Sequence, residues 1–251
     1  MDSNFPDSVL PRVRSVVQTA LPCPAAPVQM ALAALLADDA EPMRAMIACS
    51  LHDSEGTVQL GSALDLIDIG LRRLHAQVDD PSEMAALLGT AGNVLAGDYL
   101  TSGSFKLLVR CGDVQMLTRI ADAITRTCEI VIQDGIDAAT GRQRDPTAAA
   151  APLGEVAGRC AAVLAGYPDA MAAVAGLLGS RLVACHVLLR RVRRDREEAG
   201  APRTPPDPRL AEAARLCAEA AVHAEALQAG TGNPRPVVLT GWMRERIDAA
   251  H

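Results

Sequence analysis

A chain of 251 residues has room for one large domain with a substantial apolar core. Apolar residues make up 49% of it and aromatics only 2%, so strong helix formers dominate, strand formers are scarce, and the composition predicts an all-α protein. A formal charge of −6 argues against general nucleic-acid binding, which needs a surplus of Lys and Arg to neutralise phosphates.

The first clear element is a helix whose apolar stripe runs through Leu64, Ile67, Leu71, Leu74 and Val78, at spacings of three and four. Asp65, Asp68, Arg72, His75 and Asp79 lie beside that stripe. A longer helix follows from Met84 to Leu108 and is broken at Gly112-Asp113. Another runs from Val114 to about Gln133, with Ile120, Ile124 and Val131 inward. The connections are short, which predicts antiparallel neighbours. Residues 134–152 read as a loop leading into a helix that ends at Gly166.

Pro168 opens the next helix, whose stripe is Met171, Val174, Leu178, Leu182, Cys185, Leu189 and Val192. Val183 and Val187 fall on its opposite side, so this helix is apolar on two faces until Leu189. Its end is cationic, with Arg190, Arg191, Arg193 and Arg194. That pattern suits a central helix whose tip reaches a polar cavity. A proline-rich linker near residues 199–208 follows, since prolines remove donors and disfavour helix in the preceding residue. Asp207 is a candidate N-cap with Pro208 at the first helical position, and Gly230 is expected to close that helix. A short last helix spans about Trp242 to Ala250. Residues 1–251 are expected to form a single domain.

The seven cysteines, at 23, 49, 111, 128, 160, 185 and 217, include no Cys-x-x-Cys pair. This usage predicts reduced core thiols in place of a zinc or redox site. No basic segment followed by an apolar run opens the sequence, and no uninterrupted apolar stretch approaches the ~20 residues of a membrane span. The expectation is a cytoplasmic protein without a transmembrane segment.

The segment Asn93-Val94-Leu95-Ala96-Gly97-Asp98-Tyr99-Leu100, followed by Ser104-Phe105-Lys106-Leu107-Leu108 and Gly112-Asp113, resembles the stretch that follows the first aspartate motif of trans-isoprenyl diphosphate synthases, the polyprenyl synthetases. Ala63-Leu64-Asp65-Leu66-Ile67 is similar to the helix leading into that motif. Ala165-Gly166 and Leu178-Gly179 fall where the family places them ahead of its second motif. The resemblance covers roughly residues 40 to 195. It implies an isoprenoid-synthase-type bundle of antiparallel helices around a central cavity, with dimerisation through the helices of about 84–133. Asp98, Tyr99 and Phe105 are thereby candidate dimer-interface positions.

In that family two Asp-Asp-x-x-Asp clusters hold magnesium on an allylic diphosphate, because hard cations require oxygen ligands. Here the first falls on His75-Ala76-Gln77-Val78-Asp79, where only Asp79 is retained. The second falls on Arg190-Arg191-Val192-Arg193-Arg194, where no carboxylate remains. The Gly-Lys-x-x-Arg signature that holds isopentenyl diphosphate aligns with Ala40-Glu41-Pro42-Met43-Arg44, so Arg44 is kept as a candidate diphosphate contact while the lysine has become an acid. The family's Lys-Thr pair falls in the alanine run near Ala149 and Ala150.

The resemblance therefore implies no catalytic residue and no metal site in this chain. His75 and Asp79 are remnants of the first motif. Arg190, Arg191 and Arg194 are candidates for contact with diphosphate or a partner, since guanidinium groups suit phosphate and carboxylate; as a helix end they also complement the dipole. The expected function is that of a non-catalytic subunit paired with a catalytic prenyl diphosphate synthase, with magnesium only in that partner. The alternatives are a divergent prenyltransferase or terpene synthase-like enzyme using arginine in place of metal-binding aspartate, and a homodimer that binds a prenyl ligand.

Overall fold

The computed structural model describes residue 5 and residues 7–22, 41–71, 83–111, 113–141, 145, 147–199 and 207–250. Among them every regular element is helical. In chain order these are α1 (Val9–Ala20), α2 (Met43–Leu51), α3 (Glu55–Asp68), α4 (Glu83–Arg110), α5 (Val114–Ala139), a 3-10 turn (Ala148–Ala150), α6 (Ala151–Leu164), α7 (Asp169–Ala199), α8 (Pro208–Thr231) and α9 (Arg235–Ala250).

α7 is the central element. It packs most extensively against α6 and α8, and it also touches α2 and α9. Every residue from Leu182 to Leu189 is buried, which explains why the sequence is apolar on both sides there. By length and composition α7 could cross a bilayer, but most of its apolar window is covered by the rest of the fold. The α6–α7 crossing is close because small residues face one another. A Cβ added to Gly158 would lie 1.9 Å from the Ala175 carbonyl oxygen, and one added to Gly179 would lie 2.1 Å from that of Gly154.

α2 is buried over its whole length, and its ends are satisfied by distant residues. At its N-terminus Asp65 of α3 accepts hydrogen bonds from the Arg44 amide at 3.1 Å and the Ala45 amide at 3.0 Å. At its C-terminus the Asn233 side-chain amide donates to the carbonyls of Ser50 and Leu51, at 2.8 and 3.1 Å, and the Tyr167 hydroxyl donates to Leu51 at 3.1 Å. A buried helix with unsatisfied terminal groups would be costly; these contacts fix both ends of α2, which packs mainly on α3 and α6 and more lightly on α7 and α9.

Several boundaries differ from the expectation. α5 continues to Ala139 because its helical pattern persists past Gln133, whose side chain donates to Asp137 at 3.0 Å. α8 passes through Gly230 and stops at Gly232, which adopts φ 74° and donates its amide to Gln228. α9 starts at Arg235, seven residues before Trp242, because Pro234 and Pro236 lie where the first turn needs no amide donor. Asp207 caps α8 as anticipated, accepting from the Arg209 amide at 2.9 Å. The outer part of the first stripe, Leu74 and Val78, and residues 200–206 of the linker lie outside the described residues.

α4 and α5 also pack differently from the expected neighbouring pair. Among the described residues α4 lies mainly on α3 and α1, whereas α5 lies on α6. Both turn apolar side chains outward: Val94, Leu95, Phe105 and Val109 on α4, and Val114, Ile132 and Ile136 on α5.

Candidate functional site

Two ion clusters stand where α2 begins. The inner one is centred on Arg44, which is only 4% exposed. Its guanidinium lies 3.3 Å from Asp65 and 2.7 Å from Asp68, both on α3. The Asp68 contact is an ion pair whose approach is out of line with the N–H bonds, and Arg44 Nε has no acceptor. Asp65 thus serves two purposes, capping α2 and pairing with the side chain that α2 carries in its first turn.

The outer cluster is centred on Glu41, two residues before α2. One carboxylate oxygen lies 2.6 Å from Arg246 of α9 and 3.3 Å from Arg193 of α7. The other lies 3.3 Å from Nδ1 of His186, also on α7. His186 and Arg193 are seven residues apart, two turns of one face, so a single carboxylate can meet both. Arg246 in turn stacks on Trp242, its guanidinium 4.0 Å from the ring centre. Burial alone pushes the Glu41 carboxyl up, but His186, Arg246 and Arg193 outweigh it and hold the group at about 2.

The rest of the α7 tail is tied down by separate contacts. Arg196 donates to the Ala250 carbonyl of α9. Asp195 pairs at 2.5 Å with Arg209 of α8, which also grips the capping residue Asp207 at 2.7 Å. Arg190 is half-buried, and Arg191 and Arg194 are exposed on the same helix end.

The structure therefore distributes the sequence candidates. Arg44 is buried between two carboxylates. Arg190, Arg191 and Arg194 share the end of α7 with Arg193, the member of the same cationic run that meets Glu41. His186 and Arg246 are the two members of the cluster that the sequence did not point to. His186 is set among apolar residues of one helix, and Arg246 lies more than fifty residues further on, so no local pattern joins them to Glu41. Asp98 is exposed on α4, Phe105 is 42% exposed, and Tyr99 is half-buried with its hydroxyl donating to the Pro22 carbonyl at 3.2 Å. His75 and Asp79 lie outside the described residues. Cys49, Cys160, Cys185 and Cys217 are buried free thiols, and burial pushes Cys49 to about 11 and Cys160 to about 12.

Magnesium does not fit the end of α7. Arg190, Arg191, Arg193 and Arg194 are cationic there, Asp195 is paired with Arg209, and Glu41 is already shared among three positively charged or protonatable groups. Among the described residues no group of three His, Cys, Asp or Glu side chains is placed to hold a metal ion. A divalent ion brought to this place would meet the repulsion of these arginines.

No protein-family profile matches the sequence, and no curated protein matches it. Solved structures do match over nearly the whole chain. The heptaprenyl diphosphate synthase of Staphylococcus aureus superposes with a TM-score of 0.79 at 13% identity, covering 96% of this chain and 98% of that one. The Caulobacter crescentus polyprenyl synthase, solved with calcium and isoprenyl diphosphate, gives 0.76 at 16% identity, with coverage of 97% and 94%. The geranyltranstransferase of Thermotoga maritima gives 0.66 at 12% identity, with coverage of 97% of each chain. The chain thus has the all-helical fold of the polyprenyl and isoprenyl diphosphate synthases.

Proposed function

We propose that this chain is a non-catalytic subunit that pairs with a catalytic trans-prenyl diphosphate synthase and tunes its stability, activity or product length. The observation that carries this reading is the Glu41 cluster. In a fold whose reaction depends on carboxylates holding divalent metal on a diphosphate, the end of α7 carries arginines, and one of them is neutralised by an acid from the start of α2. The inversion is matched on both sides of the contact, as expected of a site maintained for packing rather than for ionising a substrate.

The outward apolar residues of α4 and α5 support the pairing half of the proposal. Val94, Leu95, Phe105, Val109, Val114, Ile132 and Ile136 would gain from burial against another helical surface, and scattered apolar exposure is less telling than exposure gathered on two elements. The partner supplies both aspartate motifs and their magnesium. This chain supplies surface and rigidity.

The test is to incubate the purified chain with allylic and isopentenyl diphosphates and magnesium, alone and mixed with an intact synthase from the same source. Activity or altered product length only in the mixture, with a mixed dimer on sizing, is the expected outcome. Turnover by the isolated chain would overturn the reading in favour of an arginine-based enzyme. Tight prenyl binding by a homodimer without turnover would overturn it in favour of a ligand carrier.

A further inference from the structure

The groove between α5 and α6 encloses a cavity of about 340 Å³, within the size range of small-molecule sites. None of its lining belongs to α2, α7 or α9, so it stands apart from the Arg44 and Glu41 clusters. Both walls carry arginine. Arg119 and Arg126 are seven residues apart on α5, two turns of one face, and Arg159 stands opposite on α6.

The two ends of the groove differ. At one, Arg126 meets Glu155 at 4.0 Å across the gap. At the other, Arg119 and Arg159 both lie near the buried Cys160 thiol, whose upward shift each of them opposes. Both are half-buried, and among the described residues neither has a carboxylate within ion-pairing distance. The acid at that end, Asp113, is occupied in capping α5, where it accepts from the amides of Gln115 at 2.8 Å and Met116 at 3.2 Å. Two guanidiniums brought together from opposite helices repel each other. A carboxylate between them would turn that repulsion into charge-assisted hydrogen bonds.

Counting the exposed Asp122, the lining holds three arginines against two acids, a surplus that one carboxylate balances. Buried Ala123, Pro152 and Val156 form an apolar floor between the two ends. The Arg126–Glu155 pair bounds that floor and calls for no further charge.

We infer that this groove binds a small monocarboxylic acid with an apolar body, its carboxylate held between Arg119 and Arg159 and its body lying on Pro152 and Val156. The inference stands on α5 and α6 alone and does not require the subunit reading.

The experiment titrates benzoate into the full chain, following heat and melting temperature, with benzamide and inorganic phosphate as comparison probes. Benzoate should bind and raise the melting temperature. Benzamide keeps the body without the charge and phosphate keeps a charge without the body, so each should bind at least roughly tenfold more weakly. Arg119→Gln and Arg159→Gln should each weaken benzoate by roughly tenfold or more, and the Lys variants should recover part of the loss. Arg215→Gln, at an exposed arginine of α8, should leave binding unchanged. Absence of benzoate binding, benzamide binding as tightly as benzoate, phosphate binding as tightly and through Arg119, or folded Gln variants that bind benzoate like the wild type would overturn the inference. Mixed-dimer formation, measured separately on the same variants, reports on the subunit reading alone.

Discussion

Arg246 lies 2.6 Å from Glu41 and 4.0 Å above the Trp242 ring, so one guanidinium joins the segment before α2 to the C-terminal helix and is itself held by that helix. Arg193 brings α7 into the same contact. Three elements distant in sequence are thereby fastened at a single carboxylate.

That fastening should depend on acid in a defined direction. Glu41 is held at about 2 in the folded chain, against an ordinary glutamate of about 4.3 when unfolded. A depressed carboxyl contributes stability that is fully present above the unfolded value and is lost as pH falls through the folded one. Melting temperature, followed from about pH 6 down to about pH 2, should fall more steeply for the wild type than for Glu41→Gln. The difference between the two is worth at most about 3 kcal/mol. Parallel curves would mean that the cluster contributes nothing to the acid sensitivity.

Arg44 should behave as a structural residue. Its replacement by Met withdraws a cation from two carboxylates that are themselves buried, and breaking such a pair costs on the order of 3 kcal/mol or more. Urea denaturation of Arg44→Met should show that loss. Arg44→Lys should recover only part of it, because a lysine cannot span Asp65 and Asp68 as a planar fork does. An Arg44→Met chain as stable as the wild type would leave Arg44 available for a ligand role.

Glycines of two kinds should respond with opposite signs. Gly158→Ala forces a Cβ into the Ala175 carbonyl across the α6–α7 crossing and should destabilise by roughly 1–3 kcal/mol. Gly135→Ala on α5 meets open space in a helical backbone and should stabilise by roughly 1 kcal/mol. Paired denaturant titrations check both. Equal effects would mean that the crossing is looser than its geometry.

The outward face of α4 and α5 can be tested apart from the fold. Leu95 is 68% exposed and Ile132 is 64% exposed, so Leu95→Lys with Ile132→Lys should change the melting temperature of the isolated chain little. The same double variant should abolish the mixed dimer on sizing. Retention of the mixed dimer would place the pairing surface elsewhere.

Much of this architecture is legible in the sequence, and the reasons are local. The apolar residues of α7 recur with the helical period on two faces, and only a central helix has two faces to bury. Asp207 followed by Pro208 is a helix start on chemical grounds alone, and it is one here. The boundary errors have local causes too. Pro234 and Pro236 read as breakers although both fall where a helix tolerates them, and Gly230 reads as a stop although the left-handed residue is Gly232.

By itself the sequence determined an all-helical chain, the central place of α7, and the run of arginines at its end. These follow from periodicity and residue type, which are properties of neighbouring positions. Only the tertiary structure decided that Arg44 is enclosed by Asp65 and Asp68 and that Arg193, rather than the other arginines of its run, turns onto Glu41. It also decided that His186 and Arg246 complete that cluster. Charges find partners across helices according to how those helices pack, and packing joins residue 41 to residue 246, a pairing that no local spacing encodes.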